Sequence, residues 1–409
     1  MIVSFEQLGV LSNFIERLIE RKIKEPTDIQ RKVIPRLIAN ESVFFTSATG
    51  TGKTFAYLLP LLQKFLCASE SPCEISGIKL LIIAPTLELC TQIKGELDFL
   101  LTGTDVSSAL VIGSVNLERQ IENLRKNKPD IIVGNPNRLL VLAKKKIIKL
   151  NNIKALVLDE ADRLVSDEMT DDTNELCKMV KRFAGGKQEN EDKFIVTACS
   201  ATMNKKSREK LFTILDTSDI QFLESEDHEI LREKIEHWAI FSEKRRKDQT
   251  LRSLLAALNG KSKKSKVKIL IFTSKGDEAA LVLSKLQFHH VAAAGLFGKS
   301  GKKPVSGAER KAALDSFKKG SVDALISTDL AARGLDIAGI THVVALDVPS
   351  DSEVYIHRCG RTGRAGKRGT MITVGDETQM RLLAAMEKKL KIKVYPKELH
   401  YGEICAPLP

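Results

Sequence analysis

A phosphate-binding loop set between an apolar strand and a helix limits what this chain can fold into more than any other segment. The residues Ser47-Ala48-Thr49-Gly50-Thr51-Gly52-Lys53-Thr54 follow the apolar run Ser42-Val43-Phe44-Phe45 and precede a helical run from Phe55 to Leu66. Small residues and glycines let successive backbone N–H groups curl around phosphate oxygens. The helix N-terminus adds partial positive charge. In that setting Lys53 reaches β- and γ-phosphates, and the Thr54 hydroxyl is suited to Mg²⁺. Ser47 stands where the common pattern has its first glycine.

A second segment narrows the reading. Residues from Ile153 to Leu158 are mostly apolar and run into Asp159-Glu160-Ala161-Asp162. A buried parallel strand has this composition, and ligands of open α/β sheets bind at the carboxyl ends of such strands. Asp159 is placed to hold Mg²⁺, through water, and Glu160 to orient the attacking water.

Strand-like and helical stretches alternate along the whole chain. Candidate strands in the first half are 43–46, 80–84, 109–112, 130–133, 154–158 and 194–198. In the second half they are 236–241, 268–272, 291–295, 322–327, 342–346 and 370–374. Such alternation means βαβ units and parallel sheets with helices on both faces. A length of 409 residues accommodates two such domains. The expected divisions are a first domain at 1–224, a linker at 225–233, a second domain at 234–395 and an irregular tail at 396–409. The linker is the polar run from Glu224 to Glu233. Surface loops are expected at Gly185–Asp192 and Gly298–Gly307.

Composition bounds the partners. Apolar residues make up 43% and charged residues 28%, as in globular proteins. No run approaches the ~20 apolar residues of a membrane span, so no membrane partner is expected. No signal peptide is read at the start. The seven cysteines lack zinc-binding spacing and fit reduced thiols, consistent with a cytoplasmic protein. The net charge is +12, and it is uneven. Residues 1–224 carry 31 basic and 30 acidic side chains, and residues 225–409 carry 33 and 22. A basic half points to an anionic partner, with nucleic acid the first candidate. The second half has no phosphate loop, but it holds His357-Arg358-Cys359-Gly360-Arg361-Thr362-Gly363-Arg364. Arg361 and Arg364 could stabilise a transferring phosphoryl group as arginine fingers do.

Taken in order, these segments resemble the motifs of the DEAD-box family of ATP-dependent RNA helicases, over about residues 5–375. Glu25-Pro26-Thr27-Asp28-Ile29-Gln30 is similar to the Q motif, with Phe5 as the upstream aromatic. Ser47 to Thr54 is motif I. Pro85-Thr86-Leu87-Glu88-Leu89 and Asn135-Pro136-Asn137-Arg138 resemble motifs Ia and Ib. Asp159 to Asp162 is motif II, and Ser200-Ala201-Thr202 is motif III. Ile271-Phe272-Thr273 fits motif IV, Ser327 through Asp336 motif V, and His357 to Gly366 motif VI.

The resemblance implies an α/β protein of two tandem RecA-like doubly wound parallel-sheet domains that close on ATP and single-stranded RNA across an interdomain cleft. It implies that Gln30 reads the adenine edge, using the paired donor and acceptor of an amide. Phe5 lies at the nucleotide, Asp336 reaches the ribose, and Arg361 and Arg364 reach the γ-phosphate. Asp162, Ser200, Thr202, Arg333 and His357 couple the two halves. Pro85, Thr86, Asn135, Arg138 and Thr328 meet RNA, mainly at its backbone, which makes affinity salt-sensitive and largely independent of sequence. The cofactors implied are ATP and Mg²⁺, on a monomer.

Several positions depart from the family pattern, clustered on RNA-facing motifs. Leu87 replaces a usual arginine, Ser114 and Asn135 replace a usual glycine and threonine, Lys22-Ile23 replaces a usual glycine-aromatic pair, and the chain between Gly295 and Arg310 is about eight residues longer than expected. Three functions stay open on sequence alone: an RNA-dependent ATPase that separates short duplexes or remodels ribonucleoprotein, an ATP-gated RNA clamp with little unwinding, and a DNA-translocating helicase. The Gln30 setting argues against the last.

Overall fold

Apolar runs in which every side chain is buried need cover on both faces, and the first sheet has it. In a computed structural model of the chain its strands are β1 (Val43–Thr46), β2 (Leu80–Ile83), β3 (Ser108–Val111), β4 (Ile131–Gly134), β5 (Ala155–Asp159), β6 (Ile195–Ser200) and β7 (Gln221–Glu224). The structure describes all residues except 1–2, 48–49, 68–76, 185–193, 202, 216–219, 225–233, 262–266, 301–302, 333–336, 338, 364–367 and 408–409. The expected linker and the expected 185–192 loop lie outside the described residues.

Adjacent residues of a strand point to opposite faces. Val43 and Phe45 accordingly enter one core with Leu80 and Ile82, while Phe44 enters a second with Leu81 and Ile83. Truncating either phenylalanine to alanine would cost roughly 3–5 kcal/mol. The order is β3-β4-β2-β5-β6-β1-β7, and every pair is parallel. This doubly wound arrangement sets the carboxyl ends of β5, β6 and β1 side by side.

The second sheet repeats the logic. It comprises β8 (Ile235–Phe241), β9 (Ile269–Thr273), β10 (Ala293–Leu296), β13 (Ala324–Thr328), β14 (His342–Ala345) and β15 (Gly369–Gly375), with β16 (Val394–His400) and β17 (Glu403–Cys405) at one edge. Strands β11 (Lys299–Ser300) and β12 (Lys303–Pro304) form a separate antiparallel ribbon. Leu270 and Phe272 face one core, and Ile269 and Ile271 face the other. The order is β10-β13-β9-β14-β15-β8-β16-β17, parallel except for the β16–β17 pair. The chain thus divides into two compact units, Met1–Ser225 and Glu226–Pro409.

Two expectations are corrected here. The 298–307 loop contains the β11–β12 ribbon. The tail from 396 is not irregular, because β16 and β17 run through residue 405. Pro396 and the mixed polar sequence around it suggest a terminus, yet proline is tolerated on an edge strand. Here β16 pairs with β8 from Val394 to Lys397 and with β17 only from Glu398 to His400. Pro396 therefore faces no strand partner on its second side among the described residues.

Candidate functional site

The register of the first sheet brings the phosphate loop, the acidic segment and the Ser-Ala-Thr segment together. Thr46 is paired with Ser200, and Asp159 with Cys199. The loop leaves β1 at Ser47, whose N–H donates to the Ser200 carbonyl at 3.0 Å. It then enters the helix Lys53–Cys67. Gly50 and Gly52 adopt φ of 83° and 85°. At Gly52 the positive φ calls for glycine, and a Cβ there would also come within 2.4 Å of Gln30 Nε2 and push that side chain aside.

Gln30 builds the floor beneath this loop. Thr27 caps the helix Asp28–Ile38 in a capping box, with Gln30 at its third position. Gln30 Oε1 accepts the Thr27 N–H at 2.9 Å, and Nε2 donates to the Gly52 carbonyl at 3.0 Å. One amide hydrogen and one lone pair remain for a ligand edge. Phe5 is buried in the core with Val10 and Phe14, at 3% exposure.

The loop's polar groups are closed on one another. Lys53 Nζ donates to the Ser47 carbonyl at 2.7 Å, and the Ser47 and Thr51 hydroxyls meet at 2.6 Å. A phosphate entering here would take over the lysine from a neutral carbonyl, exchanging a weaker partner for a charged one.

Asp159 sits among three donors. Its Oδ2 accepts the Tyr57 hydroxyl at 2.9 Å. Its Oδ1 accepts the Glu160 N–H at 2.9 Å and the Cys199 thiol at 3.1 Å. Burial and then the Asp159 charge raise the Tyr57 hydroxyl well above its usual range, and the same causes raise the Cys199 thiol. Both therefore stay protonated and keep donating. Thr54 lies in the first turn of the helix that carries Tyr57, and Tyr57 bonds Asp159. The two expected Mg²⁺ ligands, Thr54 and Asp159, are thus linked through one helix. A hydroxyl and a carboxylate are hard oxygen donors of the kind Mg²⁺ takes alongside water and phosphate, so the residues present fit the ion. Among the described residues no cluster of three or more histidine, cysteine, aspartate or glutamate side chains could hold a metal by itself.

Glu160 follows with φ 50° and ψ 52°, a left-handed conformation uncommon outside glycine. It turns the chain sharply between β5 and the short helix Ala161–Leu164. Two residues on, Asp162 Oδ1 accepts the Ser200 hydroxyl at 2.6 Å, which ties the acidic segment to β6.

The RNA-facing candidates occupy the next strand ends. Thr86 caps the helix Leu87–Leu100, its hydroxyl accepting the Leu89 N–H at 3.2 Å. Leu87 is half-buried and packs against the core of this unit. Pro85 is buried beside Ala84 at the end of β2. Arg138 donates to the Gly113 carbonyl at 2.8 Å and to Gln120 at 3.4 Å. Asn135 precedes the helix Pro136–Lys144 without capping it, and its Oδ1 is buried with no partner among the described residues.

In the second unit Thr328 ends β13, and its hydroxyl accepts the Ala331 N–H at 3.4 Å. His357 lies on the helix Ser352–Cys359. Arg361 is 4% exposed, and its Nε donates to the His357 carbonyl at 3.3 Å. Ala48, Thr49, Thr202, Arg333, Asp336 and Arg364 lie outside the described residues.

Five residues in or beside the site were given no role from sequence: Tyr57, Cys199, Arg358, Asp329 and Asp347. Tyr57 and Cys199 hold Asp159. Arg358, 1% exposed, bonds both carboxylate oxygens of Asp329 at 2.6 and 2.7 Å, and Asp347 through its carbonyl at 2.7 Å and Oδ1 at 2.8 Å. That charge-assisted network locks the helix bearing His357 to the ends of β13 and β14. The usable signals were Tyr57 lying one turn after Lys53, and Arg358 and Asp329 standing as opposite charges in two motifs.

Comparison with known proteins agrees with this geometry. The family model described as DEAD/DEAH box helicase matches residues 27–211, and that described as Helicase conserved C-terminal domain matches 246–366. The chain is 33% identical over 387 residues to the DEAD-box ATP-dependent RNA helicase CshC of Bacillus cereus, covering 94% of this chain and 91% of that protein. It is 31% identical to the probable ATP-dependent RNA helicase YfmL of Bacillus subtilis, with 91% and 90% covered. The solved structure of S. cerevisiae Dbp5 bound to RNA and ADP BeF3 is similar with a TM-score of 0.80 at 27% identity, covering 97% and 96%.

Proposed function

The chain belongs to the DEAD-box family of ATP-dependent RNA helicases, and from that premise we propose how its own residues run the cycle. It is an RNA-dependent ATPase that couples ATP binding and hydrolysis to local separation of RNA duplexes or remodelling of ribonucleoprotein. The support that weighs most is the junction of β5, β6 and the phosphate loop, where Asp159, Asp162 and Ser200 are fixed by hydrogen bonds to one another's neighbourhood.

On ATP binding Lys53 leaves the Ser47 carbonyl for β- and γ-phosphate oxygens. Gln30 offers its remaining donor and acceptor to the adenine edge. Thr54 and Asp159 would hold Mg²⁺, which would offset phosphate charge when bound. Glu160 aligns a water in line with the γ-phosphorus. The new bond joins that water oxygen to phosphorus as the bond to the β-phosphate oxygen breaks; the water's proton passes to Glu160, and the electron pair of the broken bond remains on ADP. Arg361 and Arg364 of the second unit stabilise the charge on the transferring group. Arg358 is assigned no contact with ATP; it keeps His357 and Arg361 in place.

RNA is gripped through its backbone by Thr86, Arg138 and Thr328, with Asn135 nearby. ATP and RNA binding favour one closed state, and hydrolysis releases it, a cycle of differential affinity. We take the protein to act as a cytoplasmic monomer. Among the described residues no helix is long and apolar enough to cross a membrane.

Loss of a short RNA duplex and release of phosphate, followed in the same samples, test this reading. Strand separation that rises with ATP turnover is the expected result. Turnover on an intact duplex would instead assign an ATP-gated RNA clamp, the reading that the Leu87 and Asn135 departures favour.

A further inference from the structure

Part of the second unit's positive charge lies away from the helicase motifs. Lys234, Arg368 and Lys393 line a pocket of about 200 Å³ with Glu236, His237 and Tyr395. All six fall outside the segments 27–211 and 246–366 that the family models match. They lie where β8, β15 and β16 begin. The motif residues Thr273 and Thr328 lie at the opposite end of this sheet, where β9 and β13 finish. The Gly369 N–H donates to the Lys234 carbonyl at 2.9 Å, which brings Arg368 beside Lys234.

Aromatic rings interleave with these cations. Tyr395 of β16 is in register with Trp238 of β8, so the two side chains share a face. Lys393 Nζ is 5.1 Å from the centre of the Tyr395 ring, and Lys397 Nζ is 5.6 Å from that of Trp238. Tyr395 remains 42% exposed. Glu236, the one carboxylate lining the pocket, accepts the Trp238 Nε1–H at 3.2 Å and so fixes the indole. Lys234, Arg368, Lys393 and Lys397 make no ion pair among the described residues. Cations that make no ion pair among the described residues, set beside the exposed Tyr395 ring and the half-buried Trp238 ring, fit a strand that offers phosphates and unstacked bases together. A duplex hides its base faces, and an acidic peptide has no use for stacked rings.

We propose that this face is a second binding site for single-stranded RNA, with Lys393, Lys397, Lys234 and Arg368 on phosphates and Tyr395 and Trp238 as stacking surfaces. The proposal rests on RNA being the substrate of this chain. It gives the protein a hold on RNA that does not depend on ATP.

Trp238 is the only tryptophan in the chain, so its fluorescence reads the site directly. The test titrates the full chain, without nucleotide, with a twenty-nucleotide oligouridylate at several salt concentrations. Quenching is the expected result. In Lys393→Gln/Lys397→Gln the log–log salt slope should become shallower by about 1.4, for two lost phosphate contacts on a single strand. Tyr395→Ala should raise the RNA concentration at half-quenching by about fivefold or more. Melting temperatures check that each variant is folded, and the two lysine changes do not touch the core. Unchanged fluorescence at RNA concentrations that bind the protein would overturn the proposal, as would an unchanged slope in the folded lysine variant. Quenching by polyglutamate that RNA fails to reverse would overturn it too, assigning the face to an acidic protein. ATP hydrolysis by the wild type with and without RNA is measured separately. Absence of stimulation there would count against the helicase reading, whereas the fluorescence result judges the second site.

Discussion

At the strand ends that carry Lys53 and Asp159 the polar groups hold protein partners, whereas at the loops that carry Leu87 and Asn135 the pattern is broken. Lys53 has the Ser47 carbonyl, Asp159 has three donors, and Ser200 has Asp162. Lys53 and Asp159 already hold protein partners, so a nucleotide must replace existing bonds with stronger ones. At the candidate RNA contacts Leu87 packs against the core and Asn135 Oδ1 is buried without a partner among the described residues. An unsatisfied buried acceptor costs roughly 1–3 kcal/mol. The lesson is that catalysis tolerates little variation in its fixed geometry, while a backbone-gripping surface can lose a contact and keep the others.

Substitutions on each side can break or sharpen that contrast. Glu160→Gln keeps the shape and removes the carboxylate that aligns water, so RNA-stimulated turnover should fall by up to about 10⁴-fold, with ATP binding retained. Steady-state kinetics beside equilibrium nucleotide binding measure both. Retained turnover would remove Glu160 from its role. Arg361→Ala should cut turnover by up to about 10³-fold. If turnover survives while the melting temperature drops, the buried guanidinium is structural.

Tyr57→Phe probes the bonding that surrounds Asp159. It removes one hydroxyl from a buried carboxylate, which should lower stability by roughly 1.5–3 kcal/mol in urea unfolding. No change would mean that Asp159 is held by Glu160 and Cys199 alone. Leu87→Arg is the smallest effect. Loss of half the burial of a leucine should cost roughly 1 kcal/mol, and the salt dependence of RNA binding should not change. A salt slope steeper by about 0.7, with the melting temperature unaltered, would show that this loop still meets phosphates.

Most of the parallel strands and the nucleotide side were legible because their signals are local. A phosphate loop, an acidic strand end and a capping glutamine each lie within a few consecutive residues. What escaped depends on register. Cys199 meets Asp159 only because β5 and β6 are neighbours paired at those two residues. Arg358 meets Asp329 and Asp347 because the ends of β13 and β14 converge on one helix. Strand β16 was hidden by Pro396, whose place on a half-paired edge no short window reveals. Leu87 was visible as a departure, but its packing against the core was not.

The central claim is that ATP hydrolysis here answers to RNA. Phosphate release by the full chain should be measured alone, with a single-stranded RNA, and with DNA of the same sequence, at equal salt. The account predicts strong stimulation by RNA and little by DNA, since the ribose 2′-hydroxyl is what separates the two. Equal stimulation by DNA, or none by RNA, would contradict it.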